Sequence, residues 1–297
     1  MQRISDTSSS SFRLLFIAVA GYLIFSLVGA SLQFWILTSG GLSLPLPPEV
    51  TLPLDQRQWL RLGVLISGLF TFTVTAVVAL WWMYRGGWAT AAELRRPSRS
   101  GMVVWAAALF VASLPLVTYL TWLNLQLPLP DWAIADEEMV NALLRNLLTM
   151  ERPAELGLAL LTVAVAPAVG EELLLRGVLQ QRVFGGLFSG HHRAVWLTAL
   201  IFSLGHFEFA GFLPRAVLGA ALGYACVWTR SLWVPIALHL LFNGAQVLNA
   251  YLEGEFRPDT EMSFTPPWWI GVGGLLLCGV LLRLGEHRFL RRQNVSS

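Results

Sequence analysis

The sequence predicts an all-α membrane protein, a polytopic helical bundle with about eight spans and both termini in the cytoplasm. The composition, the apolar runs and the distribution of charge support this. Of the 297 residues, 55% are hydrophobic and only 13% are charged, and the mean hydropathy is +0.61. A soluble domain carries roughly a quarter of charged residues, so lipid is the predicted solvent. The net charge of +2 forms no basic patch, which argues against a nucleic-acid partner.

The apolar runs define the spans, because a helix needs about 20 apolar residues to cross a hydrocarbon layer ~30 Å thick. Such runs lie at residues 14–38, 62–84, 102–124, 156–180, 194–209, 212–229, 231–250 and 266–284. An alternative for the first run is a cleaved signal peptide over 1–30. The run continues past Ala30 to Leu37, which favours a spanning helix.

The charges then predict the orientation. With the N-terminus inside, the segments left in the cytoplasm hold 13 Arg and 3 acidic residues, and the opposite side holds 6 Arg and 13 acidic residues. An excess of basic residues marks cytoplasmic loops. Both termini are therefore expected in the cytoplasm, and the compact chain favours a prokaryotic plasma membrane.

Residues 136–152 have a helical pattern of their own. Apolar side chains recur about every four residues among acidic residues and Asn, which is typical of an amphipathic helix on the membrane surface. This pattern favours a passive interfacial anchor, and a lid or substrate guide is the alternative.

Ionisable residues inside predicted spans indicate function, because each costs ~3 kcal/mol or more in hydrocarbon. The fourth, fifth and seventh spans carry a small set of such polar residues: Glu171, Glu172, Arg176, His206, His239 and Asn243. By residue count, the carboxylates and histidines lie at a similar depth, roughly 13–20 Å from the cytoplasmic boundary. The sequence therefore predicts one site rather than scattered polar residues.

Helix geometry separates the roles of the two carboxylates. Glu172 and Arg176 are four residues apart and can form an ion pair, whereas Glu171 is rotated by about 100° and faces elsewhere. Pro167 removes a backbone hydrogen bond four residues before Glu171, and Gly170 permits a close approach.

These residue types suit hydrolysis. A desolvated glutamate is a competent general base for water, and His206 could help to hold that water. His239 and Asn243 are also four residues apart and could stabilise an oxyanion. Each of these residues has an alternative role when it is considered alone. Glu171 could relay protons, and each histidine could form a hydrogen bond between helices.

Other polar residues are assigned lesser roles. His191, His192 and His287 are interpreted as solvated, and Glu208 with Arg215 as a surface pair. The cysteines read as small buried side chains, Cys226 and Cys278. Gln246 and Asn249 lie on the same face of the seventh span as Asn243 and could line the same cavity.

Three motifs resemble those of the CaaX-protease and bacteriocin-processing (CPBP, or Abi) family of intramembrane proteases. Glu171-Glu172-Leu-Leu-Leu-Arg176 matches Glu-Glu-x-x-x-Arg, Phe202-Ser-Leu-Gly-His206 matches Phe-x-x-x-His, and His239-Leu-Leu-Phe-Asn243 matches His-x-x-x-Asn. The resemblance covers roughly residues 156–250. It divides the chain into N-terminal helices with the amphipathic segment (1–150), a catalytic core (151–250), and a last helix with a basic tail (251–297).

The resemblance implies an endopeptidase whose site opens to the cytoplasm. Glu171 would activate water with help from His206, Glu172 would pair with Arg176, and His239 and Asn243 would form the oxyanion hole. Its substrate would be a protein or peptide, including lipidated or membrane-anchored ones. Family members have also been called metalloproteases, and Zn²⁺ on Glu171, His206 and His239 is the alternative to a metal-free mechanism. The His-Glu-x-x-His motif of zinc proteases is absent, so no cofactor is favoured.

Two other classes of function stay open. One is a catalytically silent relative of the same fold that acts as a scaffold or binding protein. The other is a proton-coupled transporter, which the absence of an internal repeat disfavours.

Overall fold

The computed structural model describes residues 2–42, 51–254, 256, 262 and 264–294. Parts of the loops counted above for charge, residues 43–50, 255, 257–261 and 295–297, lie outside this range. The described residues are all-helical, as predicted, with no strand among them. Besides a short turn at Trp88–Ala91 they form α1 (Gln2–Ser39), α2 (54–84), α3 (Gly101–Leu125), α4 (Asp131–Leu148), α5 (Pro153–Leu187), α6 (His191–Leu204), α7 (Phe212–Thr229), α8 (Trp233–Glu253) and α9 (Trp268–Asn294).

Six helices in the described part of the chain are long and apolar enough to cross a membrane, α1, α2, α3, α5, α7 and α9. The prediction of about eight spans is larger than this number. α6 has 14 residues and is therefore only ~21 Å long, too short to cross the hydrocarbon layer alone. α8 has 21 residues, but its polar side chains lower its hydropathy. The orientation of the termini stays a prediction.

Two of the four apolar clusters among the described residues hold most of the helices together. One joins α1, α2, α5 and the start of α8, and the other joins α3, α6, α7 and α9. α3 lies between α7 and α9, and α6 packs along α7. α1 continues as one helix through Ala30, the residue that would precede cleavage of a signal peptide.

The bundle has two distinct ends. The terminal end is the one at which α1 begins and α9 ends. There, Ser11 donates to the carbonyl of Arg182, and Arg99 contacts the carbonyl of Phe289. At the far end, Asn124 Nδ2 donates to the carbonyl of Phe209 at 2.8 Å. Residues 126–130, 149–152 and 205–211 lie at this far end.

A network of buried ions holds the far end together. Glu155, at the start of α5, accepts hydrogen bonds from Arg61 at 2.8 Å and from Arg57 at 3.4 Å. Its other oxygen accepts from the backbone N–H groups of Glu151 and Arg152. Since all three ionic side chains, Arg57, Arg61 and Glu155, are at most 2% exposed, these contacts are needed to offset their desolvation.

α4 lies across the far end instead of apart from it. The helix begins at Asp131, five residues earlier than the amphipathic pattern suggested, and ends at Leu148. Leu147 and Leu148 are buried against the ends of α1 and α5, and Asn146 accepts a hydrogen bond from the backbone N–H of Leu52 at 2.8 Å. This helix therefore covers the far end of the bundle and forms its roof.

Candidate active site

α5 sets the position of the acidic pair. The helix changes from α to π geometry over Leu161–Val165 and again over Leu173–Phe184, and Glu171 and Glu172 lie in the α-helical turn between these segments. π-helical insertions within α-helices occur frequently at functional sites. Gly170 brings this turn against α2, where an added Cβ would lie 2.7 Å from the Thr73 hydroxyl.

Pro167 connects α5 to α8. Because proline has no N–H, the carbonyl of Val163 lacks its α-helical donor. Asn243 Nδ2, on α8, donates to this carbonyl at 3.1 Å. The expectation that Pro167 opens the helix is consistent with its place in the wall of a cavity.

Glu172 is the more deeply buried member of the acidic pair. Its Oε1 accepts from Arg176 Nη1 at 2.7 Å and lies 2.9 Å from Nδ1 of His239. Both Glu172 and Arg176 are completely buried, so the ion pair expected from their spacing is present. The second oxygen, Oε2, is buried without a hydrogen-bond partner, and so is Nε of Arg176.

A glycine motif in α7 faces two polar side chains of α5. Arg176 Nη2 donates to the carbonyl of Gly219 at 2.9 Å, and one turn further Gln180 donates to the carbonyl of Gly223 at 3.0 Å. A Cβ on Gly219 would lie 3.0 Å from the Phe202 ring, a tight contact, so this glycine lets α6 pack closely against α7. The motif Gly219-Ala-Ala-Leu-Gly223 is the small-residue spacing of packed membrane helices and was the signal by which sequence reasoning could have found this contact.

Glu171 faces a cavity of about 510 Å³. Its Oε2 lies 4.0 Å from Nε2 of His239, and its side chain is 12% exposed. Four of the six predicted site residues line this cavity, Glu171, His206, His239 and Asn243, while Glu172 and Arg176 lie behind it. The structure thus separates the two carboxylates as helix geometry predicted.

His206 reaches the cavity from a loop. α6 ends at Leu204, so His206 follows the helix instead of lying within a span, and the backbone turns sharply at Phe207 with φ of +56°. His206 Nδ1 lies 2.8 Å from the carbonyl of Phe202, which assigns the proton to Nδ1. In the neutral ring, Nε2 is then a hydrogen-bond acceptor.

His239 and Asn243 are less available as oxyanion donors than the sequence suggested. Nδ1 of His239 is bonded to Glu172, so only Nε2 faces Glu171. Nε2 donates only when the ring carries both protons. Asn243 has one N–H committed to Val163 and one that remains for a ligand in the cavity.

The cavity lies in the far half of the bundle. Its walls come from the far-end halves of α3, α5 and α7, from α8, and from the loop with His206. α4 contributes four leucines to the wall, Leu143, Leu144, Leu147 and Leu148, so it is more than a passive interfacial anchor. Two expectations conflict here: if both termini are cytoplasmic, a cavity at the far end does not lie on the cytoplasmic side.

Several lesser expectations change. Gln246 lines the cavity, and Asn249 is not among its lining residues. Glu208 and Arg215 form the expected ion pair, and both also line the cavity. Cys226 is buried, and Cys278 is partly buried.

His191 and His192 are not simply solvated. Both lie at hydrogen-bonding or near-bonding distance from Glu286 of α9. Sequence reasoning missed this cluster because Glu286 lies nearly a hundred residues further along the chain.

The metal alternative requires Glu171, His206 and His239 to converge. Glu171 and His239 are close, but Nδ1 of His239 is engaged by Glu172. Among the described residues, one group of His, Cys, Asp and Glu side chains holds its ligand atoms within 4.8 Å of one another, and it is a different one. A zinc ion on these three residues would need His206 to approach the other two, and the catalytic type stays a prediction.

Residues 153–245 match the family model described as type II CAAX prenyl endopeptidase Rce1-like. This segment is therefore similar to that family. The match is consistent with the resemblance to CPBP intramembrane proteases, and it contains all six predicted site residues. No curated protein and no solved structure matches the chain significantly. The match supports, at the level of the family, a membrane endopeptidase of the CAAX-protease kind.

Proposed function

We propose that this protein is an intramembrane endopeptidase in which Glu171 activates the attacking water. One observation carries the proposal: two adjacent carboxylates have opposite environments. Glu172 is completely buried in an ion pair, whereas Glu171 faces a cavity of about 510 Å³ that also holds two histidines. Catalytic sites commonly separate two like groups in this way, so that one is structural and the other reacts.

The reaction follows from the groups that face the cavity. Glu171 takes a proton from water, and the resulting hydroxide attacks the carbonyl carbon of the scissile peptide bond. His206 holds that water through Nε2, because its Nδ1 is bonded to the Phe202 carbonyl. The proton on Glu171 then passes to the leaving amine as the carbon–nitrogen bond breaks.

The developing oxyanion needs donors in the same cavity. Asn243 supplies the N–H that does not bond Val163. His239 supplies Nε2–H when its ring is doubly protonated, a form that Glu172 on one side and Glu171 on the other can accommodate. Donors that are already positioned by the protein, as these are, stabilise a developing oxyanion more than mobile water does.

The substrate is a protein or peptide that reaches the membrane. The cavity walls are largely aliphatic and aromatic, with α4 as a roof, which suits a peptide segment or a lipidated C-terminus. The Rce1-like match points to C-terminal CaaX-type segments as the first substrates to test.

The test is cleavage by the purified full chain in liposomes, with fluorogenic farnesylated and unmodified CaaX peptides and a library of membrane-anchored peptides. We expect Glu171→Gln to lower kcat/KM by about 10²–10⁴-fold without loss of folding. Glu138→Gln, an exposed carboxylate on α4, is the matched control and should retain activity. Unchanged cleavage by Glu171→Gln would overturn the glutamate mechanism.

A chelator arm separates the glutamate and metal mechanisms. Wild type, stripped of metal and assayed with and without Zn²⁺, should cleave at the same rate in a glutamate mechanism. Activity that depends on Zn²⁺ and is lost together with bound zinc in His206→Ala and His239→Ala would instead support the zinc alternative.

The side of the membrane that the cavity faces needs its own measurement. The charge bias places the far end outside the cytoplasm, and the family resemblance places the site at the cytoplasm. Single cysteines at Leu127, at the far end, and at Arg96, at the terminal end, can be labelled in intact cells and in inverted vesicles with an impermeant thiol reagent. Labelling of Leu127→Cys from the cytoplasmic side would favour the cytoplasmic opening, and labelling of Arg96→Cys from that side would favour the orientation given by charge.

A further inference from the structure

A second cluster of ionisable side chains lies at the terminal end, away from the catalytic cavity. His191 and His192 begin α6, and Glu286 faces them from α9. Nε2 of His191 lies 3.0 Å from Oε1 of Glu286, and Nε2 of His192 lies 3.9 Å from Oε2. One ligand atom from each residue lies within 4.8 Å of the other two.

The surrounding side chains orient this cluster. Nδ1 of His192 lies 2.8 Å from the Tyr224 hydroxyl, which leaves Nε2 directed at the carboxylate. Trp228 Nε1 donates to Oε1 of Glu286 at 2.5 Å. Contacts of this kind to the second nitrogen of a histidine or to a ligating carboxylate are typical around metal sites, where they orient the ligands.

Hydrogen bonds alone do not satisfy the cluster. Oε2 of Glu286 is buried and has no hydrogen-bond partner, and Nε2 of His192, at 3.9 Å, is too distant to donate. A buried carboxylate oxygen without a partner loses its hydration without compensation, which destabilises the fold. A cation between Oε2 and the two imidazoles would remove this cost.

We propose that His191, His192 and Glu286 bind a divalent transition-metal ion of the zinc class. Two imidazoles and one carboxylate are a donor set that Zn²⁺ accepts, with a fourth position for water. Tetrahedral ligands at about 2.0–2.2 Å from zinc lie about 3.4 Å apart, so side-chain shifts of roughly 1 Å close the site. His192 is 55% exposed, which leaves the ion a path from solvent.

The site would join parts of the fold that are distant in sequence. It would connect the start of α6 to α9, with Tyr224 and Trp228 of α7 as supports. α6 is ~21 Å long and has His206 just beyond its other end, so this metal would stabilise the helix without touching the reacting groups. Zinc bound here would also complicate any test of metal dependence in the peptidase.

Metal binding is measured on the full chain in detergent after removal of metal. Zinc content after equilibrium dialysis gives the stoichiometry, and Co²⁺ gives a visible spectrum that reports four-coordinate geometry. We expect one Zn²⁺ per chain, retained in Glu171→Gln and His206→Ala, and lost or weakened at least about 100-fold in His191→Ala and Glu286→Gln. Tyr224→Phe should weaken binding by about 10-fold or more, since it removes a supporting hydrogen bond.

His287→Ala is the matched control, because His287 adjoins Glu286 in sequence and is not part of the cluster. Circular dichroism and the elution volume of each variant establish that it is folded. His192→Ala with a native spectrum provides a second variant if Glu286→Gln fails to fold. The proposal is overturned if wild type binds no Zn²⁺ or Co²⁺ at micromolar concentrations, or if folded His191→Ala and His192→Ala bind as wild type does. Since metal content is measured without substrate, the result is independent of the proposed peptidase activity.

Discussion

α5 carries two buried carboxylates that pair with arginine, and their environments differ. At the far end, Glu155 uses both oxygens, on Arg57, Arg61 and two backbone N–H groups. In the middle of the helix, Glu172 uses one oxygen for both Arg176 and His239 and leaves the other without a partner. A buried carboxylate whose oxygens are both hydrogen-bonded holds helices together rigidly. A buried carboxylate oxygen that has no partner and lies close to a cavity calls for another explanation, such as a role in a functional site.

The largest effect on the free energy of unfolding is expected from Glu172→Gln. The change leaves Arg176 buried without a counter-charge, which should lower the free energy of unfolding by about 3–5 kcal/mol. It should also lower cleavage per folded molecule by about 10²-fold or more, because His239 loses the carboxylate that orients it. Denaturant titration in detergent and peptide cleavage at matched folded fractions measure the two effects. Wild-type cleavage by the folded variant would contradict a role for Glu172 in orienting the site.

Glu155→Gln is the contrasting change. It should also lower the free energy of unfolding, by about 3 kcal/mol, because buried Arg61 loses its charged partner and Arg57 keeps only its ion pair with the exposed Glu151. Cleavage per folded molecule should stay at the wild-type level, since Glu155 is not among the residues that line the cavity. The same two measurements apply, and a selective loss of kcat would show that the far-end network reaches the active site.

Asn243→Ala tests whether the link between α5 and α8 has a second role. The variant loses a hydrogen bond to Val163, worth about 1 kcal/mol, and the proposed oxyanion donor, whose removal should lower kcat by about 10²-fold. Gln246→Ala, which lines the same cavity one turn further along α8, is the control and should have a smaller effect. Equal effects on kcat in both variants would argue for a general change of cavity shape.

The smallest effect on the free energy of unfolding is expected in α4, the helix that covers the cavity. Glu137 of α4 accepts from the backbone N–H of Ala210 in the loop that carries His206. Glu137→Gln keeps an acceptor without its charge, so we expect a loss of about 1 kcal/mol and faster amide hydrogen exchange in α4. Glu138→Gln is the exposed neighbour for comparison. Equal exchange in both variants would mean that this contact does not hold the roof.

The sequence was informative where contacts are local along a helix. The spacing of Glu172 and Arg176 predicted their ion pair, and the 100° rotation of Glu171 predicted that it would face elsewhere. The count of about eight spans stays a prediction, because apolar runs do not reveal where a helix ends, and α6 ends at Leu204, before His206.

The sequence was uninformative where helices meet. Arg57, Arg61 and Glu155 are joined across about a hundred residues, and His191 and Glu286 across a similar distance. Residue spacing describes one helix at a time, so it carries no information about which polar side chains of separate helices will face each other. The Gly219-to-Gly223 spacing was the one local signal of such a contact that reasoning could have used.

The π-helical segment at Leu161–Val165 has a consequence for insertions and deletions. A π-bulge is in effect one extra residue in a helix, so removing one residue there can restore α-helical geometry and leave the helix on either side facing as before. Removing one residue from the α-helical turn before Glu171, such as Ala168, has no wide turn to absorb it and would rotate Glu171 by about 100° relative to Glu155. A chain one residue shorter at that point could therefore keep every motif and still turn the proposed general base out of the cavity.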